Sequence, residues 1–465
     1  MSCTSRLAFS VAVVACAAGC ASAGFSLVLE RDRVIPGTDR AFGGFSQEYP
    51  TVNDAGVLAG LAMTRASGDL DGDSTRAIWT FGPGGSHRLA TVGNDSPADR
   101  YRWYTTSEVT ADGSVVAVVA SQGVGATEIV RLAPDRSPHL IAATGMPMRD
   151  YRGFTTGHYD EPVGWWPWHD GTPTFDVTPS GSVAYTPVLA PPPVRSQTSS
   201  FHHDGEDYVF ASTSPLAYAP LDSDTIPITE SLGFNEFGRG VAMIWHRPDP
   251  VNEPEEYETR VHVVDADLDA RTVDVTALPW STEMRRSGYL VRDVNRGGQA
   301  LLAGLEEEEE EEIFGGSPGA PLVLLDSDST PRELFRSRDT IDGLRNFRIH
   351  GAHLTDAGLV VVDAFDTASS GGAIAAFDPA TGTASVLVSV GMPMFGSVIA
   401  DELTLMDVSS GGTIAFGATL ADGRLVYATF DSSTLALIPA LPSVGPLAIA
   451  FAMTTRRRGR AAIAA

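Results

Sequence analysis

Apolar residues along this chain come in short bursts, without the three-to-four spacing of an amphipathic helix. Each burst runs five to seven residues, as in Val57-Leu-Ala-Gly-Leu-Ala-Met63, and is rich in Val, Ile, Leu and Ala. A polar turn ending in glycine precedes it. The turn is written seven times: Asn53-Asp-Ala-Gly56, Thr110-Ala-Asp-Gly113, Thr178-Pro-Ser-Gly181, Asn235-Glu-Phe-Gly238, Asn295-Arg-Gly-Gly298, Thr355-Asp-Ala-Gly358 and Ser409-Ser-Gly-Gly412. Successive turn glycines lie 57, 68, 57, 60, 60 and 54 residues apart. Asn, Thr or Ser opens such a turn by bonding its own backbone, and glycine takes the positive φ that ends it. The uninterrupted apolar burst that follows predicts a strand covered on both faces.

Further short strands follow in most copies. Ala77-Ile-Trp79, Glu128–Leu132, Val261–Val264, Leu322–Leu325 and Ala373–Phe377 supply one set; Arg88–Val92, His139–Ala143 and Ser385–Val390 supply another. Three or four strands in a unit of this length, repeated at a near-constant period, predict an all-β chain folded as a β-propeller. Seven blades is the direct count, with six or eight left open because end blades are often atypical. Two stacked β-sandwiches would also produce many short strands, but the regular period argues against them. The predicted organisation is a signal peptide at 1–23, a propeller at 24–434 and a hydrophobic tail at 435–465. Closure is expected where Phe25–Leu29 adds a strand beside Leu425–Phe430, removing an exposed edge.

The turn-and-strand line resembles the N-D-x-G-x-V-A-F repeats of secreted proteins from planctomycete-type bacteria. In that family a Gly-Asp-Pro-Ala-Pro-Gly-like segment closes each repeat. Gly145-Met-Pro-Met148 and Gly391-Met-Pro-Met394 match it best here, with weaker echoes at Val34–Gly37 and Gly93–Pro97. The resemblance spans most of 25–430 and implies a fold and no activity.

Both ends carry addresses. Arg6 followed by the apolar Leu7–Ala18 and the Ala21-Ser-Ala23 site reads as a secretory signal cut between Ala23 and Gly24. Ala17-Ala-Gly-Cys20 offers a competing reading, with Cys20 as the lipidated residue of a lipoprotein. At the other end a Pro-rich lead-in with Pro442 and Pro446 precedes a short apolar segment. Arg456, Arg457 and Arg458 follow it. This tail resembles PEP-CTERM-type sorting signals, although Pro-Glu-Pro itself is missing, and the apolar run is shorter than the ~20 residues of a spanning helix. The resemblance implies exosortase-type sorting machinery as a partner and transient membrane contact through the tail, with the arginines held on the cytoplasmic side. The expected location is the cell envelope, the cell surface or the extracellular matrix.

Composition adds to this picture. The net charge of −26 across 465 residues argues against a nucleic-acid partner, which needs a basic surface. All 32 basic residues are arginine, a bias that fits GC-rich codon usage or a saline habitat. Cys3, Cys16 and Cys20 all fall in the leader, so no disulfide is expected in the mature domain.

Candidate chemistry is sparse. Trp165, Trp166, Trp168, His169 and Asp170 crowd the longest interval between turns, and tryptophan faces beside a carboxylate suit sugar stacking. Loop cover is the plainer role. Asp69, Asp71 and Asp73 resemble the start of a calcium loop that lacks its closing Glu, so a weak surface Ca²⁺ site is the one cofactor expectation. His202 and His203 neighbour each other on a predicted strand and so point to opposite faces. Glu306–Glu312 reads as a solvated acidic run. No nucleophile elbow, phosphate-binding loop or zinc-protease motif is present. The favoured expectation is an exported, non-enzymatic interaction scaffold with a surface glycan or protein partner. A carbohydrate-binding or carbohydrate-active propeller with its site near Trp165–Asp170 is the alternative.

Overall fold

The computed structural model describes residues 24–46, 50–68, 74–93, 100–121, 127–134, 137–143, 175–185, 188–189, 196–197, 199–203, 206–210, 228–246, 258–264, 270–273, 289–304, 321–336, 339–366 and 371–432. Among these residues the regular elements are β-strands. They form antiparallel meanders arranged as a β-propeller. The sixth repeat unit is typical: Leu344–Leu354, Val360–Asp366, Gly371–Asp378 and Thr383–Ser389 pair in that order.

Among the described residues, counted as separate hydrogen-bonded sheets of four or more strands, there are six blades. The first two repeat units merge into one nine-stranded sheet, because the outer strand of the first meets the inner strand of the second at a single parallel pair, Val92↔Tyr101. The repeat units are numbered one to seven below.

The turns form as their chemistry predicts. Asn53 Oδ1 accepts the N–H groups of Ala55 and Val57 at 3.1 and 3.0 Å, and Gly56 N–H donates to Asn53 C=O at 2.9 Å. The seven turn glycines all take positive φ, from 73° at Gly56 to 94° at Gly412, where a Cβ would be strained.

Beyond the turn, alternate residues face opposite neighbours, so both faces of each sheet are core. In unit six, Val360 and Val362 pack with Leu322, Leu324 and Phe335 of unit five, whereas Val361 packs with Ile414 and Phe416 of unit seven. Each such valine is fully buried, a contribution of roughly 1.5–3 kcal/mol by area. This two-sided burial is why the bursts lack a polar alternation.

The ring closes as the sequence predicts. Phe25–Glu30 pairs antiparallel with Leu425–Asp431, with Phe25 opposite Phe430 and Glu30 opposite Val426. Phe25 packs edge-on against Phe416 and Phe430 at 6.0 and 5.3 Å between centroids. The last unit thus takes its outer strand from the beginning of the propeller, leaving no free edge at the seam.

Candidate functional site

Two rings of bonds join neighbouring units, and both are built on the inner strand and its turn. The first lies at the turns. Asn53 Nδ2 donates to Thr110 C=O at 2.8 Å, Asn235 Nδ2 to Asn295 C=O at 3.1 Å, and Asn295 Nδ2 to Thr355 C=O at 3.2 Å. Ala111 N–H donates to Pro179 C=O, and Asp356 N–H to Ser410 C=O. At the seam Gly411 N–H donates to Asp54 Oδ1 at 2.8 Å, and Thr413 Oγ1 to Asp54 C=O.

The second ring starts two residues before each turn. That position holds Thr51, Glu108, Asp176, Gly233, Asp293, His353 and Asp407 in units one to seven, always followed by an apolar residue. Several of these side chains accept the N–H of the next unit's apolar residue. Thr51 Oγ1 takes Val109 N–H at 3.1 Å, Asp176 Oδ2 takes Phe234 N–H at 2.6 Å, and Asp293 Oδ2 takes Leu354 N–H at 2.9 Å. Asp407 Oδ2 takes Val52 N–H across the seam at 2.5 Å. Between units four and five Ser231 Oγ accepts Val291 N–H, and between units six and seven Asp363 Oδ1 accepts Leu405 N–H, in both cases three residues before the apolar residue that follows the ring position.

These side chains converge on the axis of the propeller. His353 Nδ1 lies 3.5 Å from Asp293 Oδ2 and 3.7 Å from Asp407 Oδ1, so one imidazole links units five, six and seven. The side chains of His353 and Asp407 are each 16% exposed, and that of Asp293 28%. Burial alone would lower the His353 pKa. The bond to Asp293 and the charges of Asp293 and Asp407 reverse that and hold it above its ordinary value. Burial raises Asp407 despite its attraction to His353. Burial, with repulsion from Asp293, raises Asp176 to about 7 against the pull of Phe234 N–H. Arg292, beside Asp293, is lowered by burial while Asp293 and Asp407 oppose that shift.

The cluster thus sets an imidazole between two carboxylates, beside a third carboxyl that is pushed up to about 7. Bonds to adjacent backbone also immobilise Asp176, Asp293 and Asp407. The arrangement is therefore well suited to clamping the units together.

The sequence reading did not single out any of this cluster. The signal was present as a line two residues longer than the turn: Asp176-Val-Thr178, Asp293-Val-Asn295, His353-Leu-Thr355 and Asp407-Val-Ser409 share one register with the other copies. Of the residues that were singled out, Gly24 is described and leads directly into the closing strand. Trp165, Trp166, Trp168, His169, Asp170, Asp69, Asp71, Asp73, Cys20, Ala23, Pro442, Pro446, Arg456, Arg457, Arg458 and the Glu306–Glu312 run lie outside the described residues. His202 and His203 do fall on a strand, Ser199–His203. Among the described residues no group of three or more His, Cys, Asp or Glu is placed to hold a metal ion.

No protein-family model matches the chain, and no curated protein matches it. Solved structures with propellers are distantly similar. A prolyl endopeptidase aligns with TM-score 0.45 and 12% identity over 82% of this chain and 49% of its own, so this chain spans about half its length. An oligogalacturonate lyase from Vibrio parahaemolyticus aligns with TM-score 0.43 and 10% identity over 88% of this chain and 97% of its own. The β-propeller domain of the Trilobed protease from Pyrococcus furiosus aligns with TM-score 0.42 and 12% identity over 88% and 100%. Likenesses this remote say nothing of this chain's chemistry.

Proposed function

We propose that this protein is an exported β-propeller that serves at the cell envelope as a non-enzymatic interaction scaffold. One observation carries the reading: the carboxylates on the axis are tied to the backbone of the next unit, Asp176 to Phe234, Asp293 to Leu354 and Asp407 to Val52. Each of these carboxylates gives one oxygen to a backbone N–H of the next unit, a charge-assisted bond that suits a clamp between units. The Ala21-Ser-Ala23 leader and the arginine-ended tail support export and sorting.

Two measurements test the proposal. Intact mass of the protein from its host, fraction by fraction, is expected to give a species that starts at Gly24 and ends before Arg456. A diacylated Cys20 with the arginines retained would replace sorting by lipid anchoring. For the scaffold itself, the purified protein and its Asp293→Asn variant are assayed against a panel of oligosaccharides. Glycan binding without turnover, or no turnover at all, is expected of both. Cleavage of any oligosaccharide that is lost in D293N would overturn the scaffold reading and make the axis a catalytic centre.

A further inference from the structure

The strand directions place both ends of the propeller on one face. The strand Ser397–Val408 runs toward the turn at Ser409–Gly412, Thr413–Leu420 runs away from it, and Leu425–Asp431 returns. Phe25 lies opposite Phe430, so the closing strand begins where Leu425–Asp431 ends. Ser432 N–H donates to Gly412 C=O at 3.0 Å, which pins the exit of the chain to the turn of unit seven. Gly24 and Ser432 therefore emerge together, on the face that carries the seven turns. The hairpin at Ala421–Gly423 lies on the opposite face, where Ala421 N–H bonds Val398 C=O at the far end of the inner strand.

We infer that the turn face is the membrane-facing side of the propeller while its tail is attached to a zwitterionic bilayer. This rests on the proposed membrane-directed tail and adds which surface that tail presents. Reach supports it. The eight residues of Thr413–Leu420 separate the two faces by ~25 Å. The 14 residues from Ser433 to Pro446 precede the apolar segment. Covalent geometry lets 14 residues span at most ~45 Å. A tail seeking a bilayer at the opposite face would spend more than half of its greatest extension passing the rim. The acidic domain gains no attraction from anionic lipid, so the tether and not surface charge sets the orientation.

A second feature fits a flat approach. Phe237, in the turn of unit four, is 54% exposed, and the Arg296 guanidinium lies over its ring at 5.5 Å. An aromatic ring with an arginine suits the headgroup layer. Its place in the ring is nearly opposite the tether of unit seven, so it gives the turn face a second point of contact.

The test uses residues Gly24 to Ala465, the form that still carries its whole tail, which contains no cysteine. Single cysteines are introduced at exposed alanines, Ala55→Cys and Ala357→Cys on the turn face and Ala421→Cys on the other. Each is labelled with an environment-sensitive fluorophore, and the protein is bound to phosphatidylcholine–phosphatidylethanolamine vesicles carrying headgroup quenchers. Quenching several-fold stronger at 55 and 357 than at 421 is expected. Equal quenching at all three sites, or stronger quenching at 421, would overturn the inference while leaving tail attachment standing. If the chain fails to float with vesicles, or floats equally well after truncation at Thr434, the membrane-directed tail itself is refuted and the inference falls with it.

Discussion

The turn ring and the axis ring do the same mechanical job with different chemistry. At the turns the joints are mostly amides, hydroxyls and backbone groups, as in the Asn295 side chain bridging to Thr355. At the axis, only a short distance along the same strand, they are carboxylates and an imidazole, as in Asp293 and Asp407 flanking His353. Neutral joints hold with the same strength at any moderate pH. Charged joints crowded on an axis carry their repulsion and desolvation with them, so their contribution changes as they titrate. One of the two rings is thus a fixed fastening and the other a proton-dependent one.

The comparison can be broken most severely at Asp407. Replacing it with Ala strips Val52 N–H of its acceptor and His353 of one of its two carboxylates. A loss of about 3 kcal/mol is expected, as for removing one partner from a buried pair. Thermal melts should show a deficit that shrinks as pH rises through the raised His353 pKa and the imidazole loses its charge. A deficit independent of pH would mean that the His353 link contributes nothing.

The pH profile of the unaltered protein sharpens the contrast next. Asp176 at about 7, Asp407 raised and His353 raised all bind protons more tightly folded than unfolded. Stability contributed by His353 is full below pH 6.5 and fades as pH rises through its higher folded pKa. The two aspartates act in the same direction, costing stability as pH climbs from about 4 past 7. On the turn ring, partial burial tends to raise Asp112, but bonds from Thr110 Oγ1 and Ser114 N–H and the charge of Arg131 bring it down to about 2. Its contribution is present above pH 4 and is lost only as pH falls toward 2. The melting temperature should therefore peak between about pH 4 and 6. It should decline toward pH 8.5 by the equivalent of roughly 2 kcal/mol, about half the full linkage value because the axis is partly exposed. Asp176→Asn keeps an oxygen for Phe234 N–H and should flatten that decline; a profile unchanged in this variant would remove Asp176 from the account.

A smaller effect is expected at Asn295, whose side chain bonds Thr355, Gln299 Oε1 and Gln299 N–H. Asn295→Ala should cost about 1.5 kcal/mol, and calorimetry at pH 5.5 and 8.5 should give the same loss at both. A loss that varied with pH would erase the distinction between the rings. The smallest expected change is at Thr51, a neutral member of the axis ring. Thr51→Val leaves Val109 N–H without its acceptor at a cost of about 1 kcal/mol. Like Asn295→Ala, it should leave the shape of the pH profile alone.

Much of the fold was legible because its determinants are local. Asn53 and Gly56 form their turn through bonds spanning four residues or fewer, so the motif can be recognised wherever it recurs. The burst Val360-Val-Val362 announced burial on both faces, and the seam at Phe25–Leu29 followed from the need to cover an edge. The axis cluster was not legible in the same way. Asp176, Asp293, His353 and Asp407 each look like an ordinary polar residue on a strand, and only the alignment upstream of the turn sets them in one register. The Trp165–Asp170 segment drew notice for its composition, which reports side-chain chemistry and not position.

What the sequence by itself determined is the repeating unit, its turn chemistry, its two-sided burial and the strand that closes the ring. All of these follow from short-range bonding and from the pattern of apolar residues. Only the tertiary structure decided that two units share one sheet through Val92 and Tyr101, and that both ends of the propeller, at Gly24 and Ser432, lie on the turn face. It also decided that His353 stands between carboxylates some sixty residues away on either side in sequence. Those outcomes depend on the curvature and closure of the whole ring, to which every unit contributes and which no single segment encodes.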